Sequence, residues 1–220
     1  MQATAIVPVK RFAAAKQRLS DVLEPSDRAR LSEAMLADVL AALGRCARID
    51  RVLVVSGEPA ITESVGSAGA ELVSDPADSG HPEAALLGIE VARKSGAEAV
   101  ALLPGDCPLL SPLEVDAAIG ALSPPVVAVI PDRHGTGTNG LLLAPPDSIE
   151  PAFGPGSRER HLELAERADV PAGALELPSL ALDLDTGGDL GALRELAGTG
   201  RLEGLHTLDA LGAIRAAPDR

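Results

Sequence analysis

The sequence has no tryptophan and no tyrosine, and Phe12 and Phe153 are its only phenylalanines. A nucleobase bound by this chain is therefore expected to be held mainly by hydrogen bonds and aliphatic walls, since few rings are available for stacking. An Ala- and Leu-rich compositional bias without functional meaning explains the same scarcity. Cysteine is equally rare. Cys46 and Cys107 are the whole complement in 220 residues, too few to staple a fold of this size, and they fit a reducing cytoplasm. No apolar run approaches the ~20 residues a membrane-spanning helix needs, and no N-terminal segment has the layout of a signal peptide. Positive charge is scarce as well. Nineteen Lys and Arg stand against 32 Asp and Glu, a formal net charge of −13, which repels nucleic acid and anionic membranes unless a local basic patch or a metal intervenes. The pattern G-x-x-x-x-G-K-[ST] is absent, which excludes a P-loop kinase. What remains is an acidic, cytoplasmic globular protein without a nucleic-acid or membrane partner, and a 46% hydrophobic content excludes wholesale disorder.

The length suits one domain spanning residues 1–220. Along it the apolar period alternates between strand and helix. Ala3–Val9, Val52–Val55, Glu71–Ser74, Ala99–Leu103, Val126–Ile130, Gly140–Leu143 and Ala181–Leu184 read as strands. Ser26–Leu43, with Ser26 placed to cap it, Pro59–Ala68, Glu83–Lys94, Pro112–Leu122, Ser157–Ala168, Gly188–Leu196 and a tail from Thr207 to Ala217 read as helices. Such alternation predicts an α/β fold, Rossmann-like, with a mostly parallel central sheet flanked by helices. Ligands of these sheets lie at the carboxyl ends of the strands. Pro131–Gly156, rich in Gly and Pro, reads as the longest irregular region and a candidate active-site lid.

Leu182-Asp-Leu-Asp-Thr186 is the most informative stretch. On a strand, Asp183 and Asp185 share a face, while Leu182 and Leu184 enter the core. Two adjacent carboxylates repel, and a hard divalent cation is the usual remedy. An EF-hand is excluded, because its fifth and twelfth positions are here Gly187 and Arg194. Capping of the following helix by Asp185 or Thr186, with Asp189 in its first turn, is the structural alternative; it leaves Asp183 without a reason. In Leu102-Leu-Pro-Gly-Asp-Cys-Pro108, Asp106 falls just past a strand end. Together Asp106, Asp183 and Asp185 make a set suited to Mg²⁺ and phosphate oxygens.

Lys10, Arg11, Lys16 and Arg18 form a basic segment directly after the first strand, where a nucleotide's phosphates lie in such sheets. A solvated helix start reads the same way. Gly135-Thr-Gly-Thr-Asn-Gly140 matches G-x-G-x-x-G but sits past mid-chain and leads into Leu141-Leu-Leu143. It is therefore no dinucleotide fingerprint; it is either an anion-cradling loop or a plain connection. Phe153-Gly-Pro-Gly-Ser157 precedes a helix, with Ser157 as its expected N-cap and N–H groups that favour a carboxylate or phosphate. His81, His134, His161 and His206 lack metal-ligand spacing and read as surface or local polar residues.

In order along the chain, P-V-K-x4-A-K-x-R-L, LLPGDCPLL, DRHGTGTNGLLL, FGPGS and LDLDT resemble the guanylyltransferases of coenzyme F-420 biosynthesis, which act on 2-phospho-L-lactate or phosphoenolpyruvate. The resemblance runs from about Val7 to Asp189. It implies a glycosyltransferase-A-type nucleotidyltransferase fold, in which the basic segment replaces the glycine-rich phosphate loop of molybdenum-cofactor relatives. It implies that Asp106, Asp183 and Asp185 bind Mg²⁺, two ions, and that Lys10, Lys16 and Arg18, beside Pro8, hold GTP. The acid's carboxylate would rest near Thr138, Asn139 and Gly154, with the Ser157 hydroxyl beside them. Gly80, His81 and Glu83 fall where relatives contact the base, although Pro82 stands in place of a polar residue. Phosphoenolpyruvate is the expected acceptor, with 2-phospho-L-lactate and 3-phosphoglycerate as alternatives. A transferase that loads the product onto a deazaflavin is the implied transient partner. A molybdenum-cofactor or sugar-phosphate nucleotidyltransferase, a non-catalytic nucleotide-binding module and a metal-binding structural domain are the competing readings.

Overall fold

The computed structural model describes residues 1–12, 15–198, 202 and 204–214. Seven strands form one sheet: β1 (Ala3–Val9), β2 (Ile49–Ser56), β3 (Glu71–Ser74), β4 (Val100–Leu102), β5 (Val126–Pro131), β6 (Thr138–Ala144) and β7 (Ala172–Ala174). Their spatial order is β3-β2-β1-β4-β6-β5-β7, and β6 alone runs against its neighbours. Seven α-helices accompany them among the described residues: α1 (Pro25–Leu43), α2 (Thr62–Ser67), α3 (His81–Lys94), α4 (Pro112–Gly120), α5 (Ser157–Arg167), α6 (Gly187–Gly198) and α7 (His206–Ala213). None is long and apolar enough to cross a membrane.

The central strands are buried on both faces, and their side chains sort by the two-residue period of a strand. Ala5, Val7, Ala101, Ala128 and Leu142 face one layer of core, shared with α1 and α4. Ile6, Val100, Leu102, Val127 and Leu141 face the other, shared with α3 and α5. The aromatic-poor composition is met by close approach. At Gly88 of α3 an added methyl would collide with Ile6 Cγ2 and press on Val55, so helix and sheet touch where a larger residue could not fit. A third cluster, formed by Leu19, Leu31, Met35, Leu184, Leu190 and Leu211, lies outside the sheet and fixes α6 and α7 against α1.

Several expected boundaries move. Ser26 lies inside α1, because Pro25 takes the first helical position and Glu24 flanks it without a side-chain cap. Pro59–Ala68 divides into a 3₁₀ turn (Pro59–Ile61) and α2. The Pro131–Gly156 region is no long lid, since β6 occupies its middle. Ala181–Leu184 is not a strand: after a 3₁₀ turn at Pro178–Leu180 the chain has no ladder partners, and Asp185 N–H turns back to the Asp183 carbonyl at 3.2 Å. The Leu-Asp alternation that suggests a strand is satisfied instead by Leu184, fully buried in the third cluster. Of the expected tail helix, residues 215–217 lie outside the described residues.

Strand order places the chemistry. The carboxyl ends of β1 and β4 lie side by side, delivering Lys10 and Asp106 to one edge. Leu102 pairs with Leu141 in opposite directions, so the start of β6, Thr138 and Asn139, sits beside the residues that follow β4. The one antiparallel strand thus brings its amino end to the edge where parallel strands end.

Candidate active site

Three cavities adjoin at that edge and share walls. One of about 430 Å³ is lined by Pro8, Lys10, Lys16, Arg18, Asp106 and Asp185, among others. A second, about 440 Å³, includes Lys10, His81, Thr138, Asn139, Gly154 and Ser157 in its lining. Between them a recess of about 170 Å³ holds Asp106 and Asp183, bounded by Thr138, Asn139 and Phe153. Phe12 and Phe153, the two aromatic carbocycles of the chain, both line this cleft. The buried Ser32 and Met35 of α1, which carry no motif, also line the first cavity.

Lys16 is the centre of the charge arrangement. Its Nζ donates to Asp106 Oδ2 at 2.6 Å and to Asp185 Oδ1 at 2.7 Å, with its side chain only 6% exposed. Burial pulls the pKa of this ammonium down, but the two carboxylates outweigh it and leave it above the ordinary lysine value. The Lys16 backbone is left-handed (φ 54°), a conformation that costs a non-glycine residue about 1–2 kcal/mol. The paired carboxylates hold it there. Arg18 Nη1 lies 3.7 Å from Asp185 Oδ2 on a side chain three-quarters exposed.

Asp183 and Asp185 are presented by a loop with its own fixings. Leu184 N–H donates to the Asp106 carbonyl at 3.3 Å, joining the loop to the end of β4. Asp189 Oδ2 accepts from the N–H groups of Asp185 and Thr186 and from Thr186 Oγ1, at 2.7–3.0 Å, while Asp189 N–H meets Thr186 Oγ1 at 3.4 Å. This is reciprocal capping of α6 by Thr186 and Asp189. It leaves both Asp183 and Asp185 turned to the cleft, so capping and clustered carboxylates are both present. Asp189 also pairs with Arg133 Nη1. Burial alone would raise the Asp189 pKa, but the bonds from Arg133 and Thr186 lower it to about 2. Asp183 moves the other way: burial, then the charges of Asp106 and Asp185, push its carboxyl above the usual range.

Across the recess, Thr138 Oγ1 lies 3.0 Å from Ser157 Oγ and 3.1 Å from His161 Nδ1. Ser157 is the first residue of α5, not its N-cap; Gly156, left-handed at φ 70°, takes that place, and the serine hydroxyl points to Thr138 instead. Asn139 Nδ2 donates to the Leu180 carbonyl at 2.7 Å, which steadies the chain entering the Asp183 loop. In the glycine-rich stretch, Asp132 accepts from Gly135 N–H through its carbonyl and from Thr136 N–H through Oδ1. Those two amides are taken up within the loop itself. His81 packs edge-on against Phe153 (centroids 4.5 Å), its Nδ1 buried without a partner and its pKa lowered chiefly by burial. Glu83 is exposed outside the cavity linings, and Gly80 is likewise absent from them.

The structure therefore brings together Pro8, Lys10, Lys16, Arg18, His81, Asp106, Thr138, Asn139, Gly154, Ser157, Asp183 and Asp185, and leaves Gly80 and Glu83 at the margin. Two contributors were missed in the sequence. Arg133 meets Asp189 across 56 residues of chain, which no spacing reveals. His161 is fully buried rather than a surface residue, although its position four residues after Ser157 placed both on one face of α5. Among the described residues no group of three or more His, Cys, Asp or Glu side chains closes on a common metal position; the Lys16 ammonium lies between Asp106 and Asp185.

Solved structures place this architecture. A putative nucleotide-diphospho-sugar transferase from Desulfovibrio desulfuricans superposes with a TM-score of 0.76 at 19% identity, covering 96% of this chain and 95% of that one. CMP:2-keto-3-deoxy-manno-octonic acid synthetase, solved with CTP, gives 0.60 at 15% identity over 91% and 100% of the two chains. The fold is that of the nucleotidyltransferases. Within that class the match is specific: residues 3–207 fit the family described as guanylyl transferase, CofC-like, and the chain belongs to it. It is 44% identical to the phosphoenolpyruvate guanylyltransferase of Conexibacter woesei, covering 97% of both chains. With the enzyme of the same name from Sphaerobacter thermophilus the identity is 39%, over 90% of this chain and 94% of that one.

Proposed function

We propose that this protein transfers GMP from GTP to the phosphate of phosphoenolpyruvate, forming enolpyruvyl-diphospho-guanosine and pyrophosphate. The observation that carries the reading is the meeting of Asp106, Asp183 and Asp185 with Lys16 at the junction of two cavities. One cavity is lined by Lys10, Lys16 and Arg18, the other by Thr138 and Ser157. Relatives named for this reaction support it.

The donor set, three carboxylates without nitrogen or sulfur, fits a hard divalent cation. Burial first, and then the charges of Asp106 and Asp185, disfavour the Asp183 carboxylate, and a cation held there would offset both. Asp106, Asp183 and Asp185 would hold Mg²⁺, two ions by the family resemblance, supplying positive charge between the triphosphate and the acceptor phosphate. The protein's own groups do the rest. Lys10 and Arg18 line the triphosphate side, and the buried Lys16 ammonium adds a fixed cation beside the reacting phosphates. Thr138, Ser157 and Gly154 line the cavity assigned to the three-carbon acid. An acceptor phosphate oxygen attacks the α-phosphorus, a P–O bond forms as the bond to the β-phosphate breaks, and pyrophosphate leaves. No proton need move; alignment and charge neutralisation supply the catalysis. By the family resemblance, direct transfer of the product to a deazaflavin-loading partner is part of the reading.

The test offers GTP and Mg²⁺ with phosphoenolpyruvate, 2-phospho-L-lactate or 3-phosphoglycerate in separate reactions, with mass detection of the guanylylated acid. Product from phosphoenolpyruvate is expected. Product from another acid alone would reassign the acceptor, and silence throughout with GTP still raising Tm would leave a nucleotide-binding module.

A further inference from the structure

Behind Thr138 and Ser157 lies a buried side chain that the reaction above leaves unused. His161 is inaccessible to solvent, and each of its ring nitrogens has one partner. Nε2 receives the Ala152 backbone N–H at 2.8 Å, and Nδ1 lies 3.1 Å from Thr138 Oγ1. An amide N–H can only donate, so Nε2 is the unprotonated nitrogen. The neutral ring then carries its hydrogen on Nδ1 and gives it to Thr138 Oγ1. Burial, helped by the Arg160 charge, keeps the ring neutral, its pKa pushed down to about 4. The Phe153 ring, edge-on at a centroid distance of 5.2 Å, packs beside it.

The hydrogens along this chain can be counted. The imidazole N–H, the threonine O–H and the serine O–H bring three. One is used between His161 and Thr138, and one between the hydroxyls, which lie 3.0 Å apart. Whichever hydroxyl donates to the other, one O–H is left over, and both residues line the second cavity. The opposite tautomer would accept from Thr138, Ser157 would donate to Thr138, and only lone pairs would face the cavity. We propose that His161 is a positioning residue that sets the hydrogen-bond polarity of this cavity: its Nδ1–H obliges the Thr138–Ser157 pair to present a donor, and the pair thereby selects the carboxylate of the phosphorylated three-carbon acid. The assignment rests on the guanylyl-transfer reading for the identity of that acid.

The test is a double-mutant cycle of His161→Phe and Thr138→Val, with KM measured separately for phosphoenolpyruvate and GTP. His161→Phe keeps a ring against Phe153 and removes both nitrogens. It is expected to raise KM for phosphoenolpyruvate at least tenfold while leaving that for GTP within twofold. In the Thr138→Val background the same change should add less than twofold, because the donor it orients is already gone. Additive effects, or an equal rise in both KM values, would overturn the role. Should His161→Phe unfold, as melting curves will show, His161→Leu, which likewise has neither donor nor acceptor, enters the same cycle with the same criteria. Calorimetric binding of phosphoenolpyruvate needs no turnover and separates the two ideas. Tight binding lost in the variant, without transfer by wild type, would keep the role of His161 and discard the reaction; binding unchanged in the variant would discard the role.

Discussion

Lys16 shows how a single residue can be both legible and incomplete in sequence. Its place in a basic run after β1 marked it for the triphosphate, and nothing in that run showed that it donates to Asp106 and Asp185. Those bonds span 90 and 169 positions, beyond the reach of periodicity. The aspartates themselves were legible because each lies in a punctuated motif, Pro-Gly-Asp or Asp-Leu-Asp-Thr. His161 and Arg133 were not, because their partners are set by the tertiary fold alone. Replacing Lys16 by Met leaves two carboxylates facing each other without the ammonium between them, and only the exposed Arg18 beside Asp185. Breaking a buried pair costs about 3–5 kcal/mol; here both aspartates are about a third exposed, so solvent screening lowers the expected loss to about 1–3 kcal/mol. Urea unfolding of Lys16→Met in Mg²⁺-free buffer measures this, and an unchanged midpoint would contradict the buried ion pair.

At the scale of elements, most strands and helices followed from the apolar period, and Ala3–Val9 and Glu71–Ser74 matched residue for residue. The misses have physical causes. Ala181–Leu184 alternates like a strand but finds no neighbour to pair with, and its leucines pack into a cluster outside the sheet. β7, Ala172–Ala174, is three small exposed residues and carries no hydrophobic signal. The last helix, expected from Thr207, is found at His206–Ala213, but the contact that holds its start is hidden from sequence spacing. Asp38 of α1 accepts from His206 N–H, Thr207 N–H and Thr207 Oγ1 at 2.6–2.9 Å, capping α7 from another element. Asp38→Ala should cost about 1–3 kcal/mol, since it strands buried donors at a helix start. Amide exchange in α7 should accelerate more than in β1. Uniform acceleration would mean that α7 does not open by itself.

For the molecule as a whole, acidity bears on the proposed function: a chain of net charge −13 would take polyanionic substrates only where cations offset its carboxylates. Its stability carries a pH signature as well. His161 has a folded-state pKa near 4 against an ordinary 6.5, so between these values the unfolded chain binds more protons. Stability is therefore fully present above about pH 6.5 and declines toward pH 4, by on the order of 3 kcal/mol for this group. Asp189, held near 2, keeps its contribution through that window. Melting from pH 7 to 4.5 should show a fall in Tm that is shallower in His161→Phe; equal slopes would contradict a buried neutral imidazole. The most direct test of the central claim is pyrophosphate release from GTP and phosphoenolpyruvate with Mg²⁺, wild type beside Asp183→Asn. Stoichiometric release by wild type, abolished by chelation, with at least a hundredfold loss in a normally folded Asp183→Asn, is the predicted result. Near-wild-type turnover in that variant would contradict the assignment of the three aspartates as the centre of the chemistry.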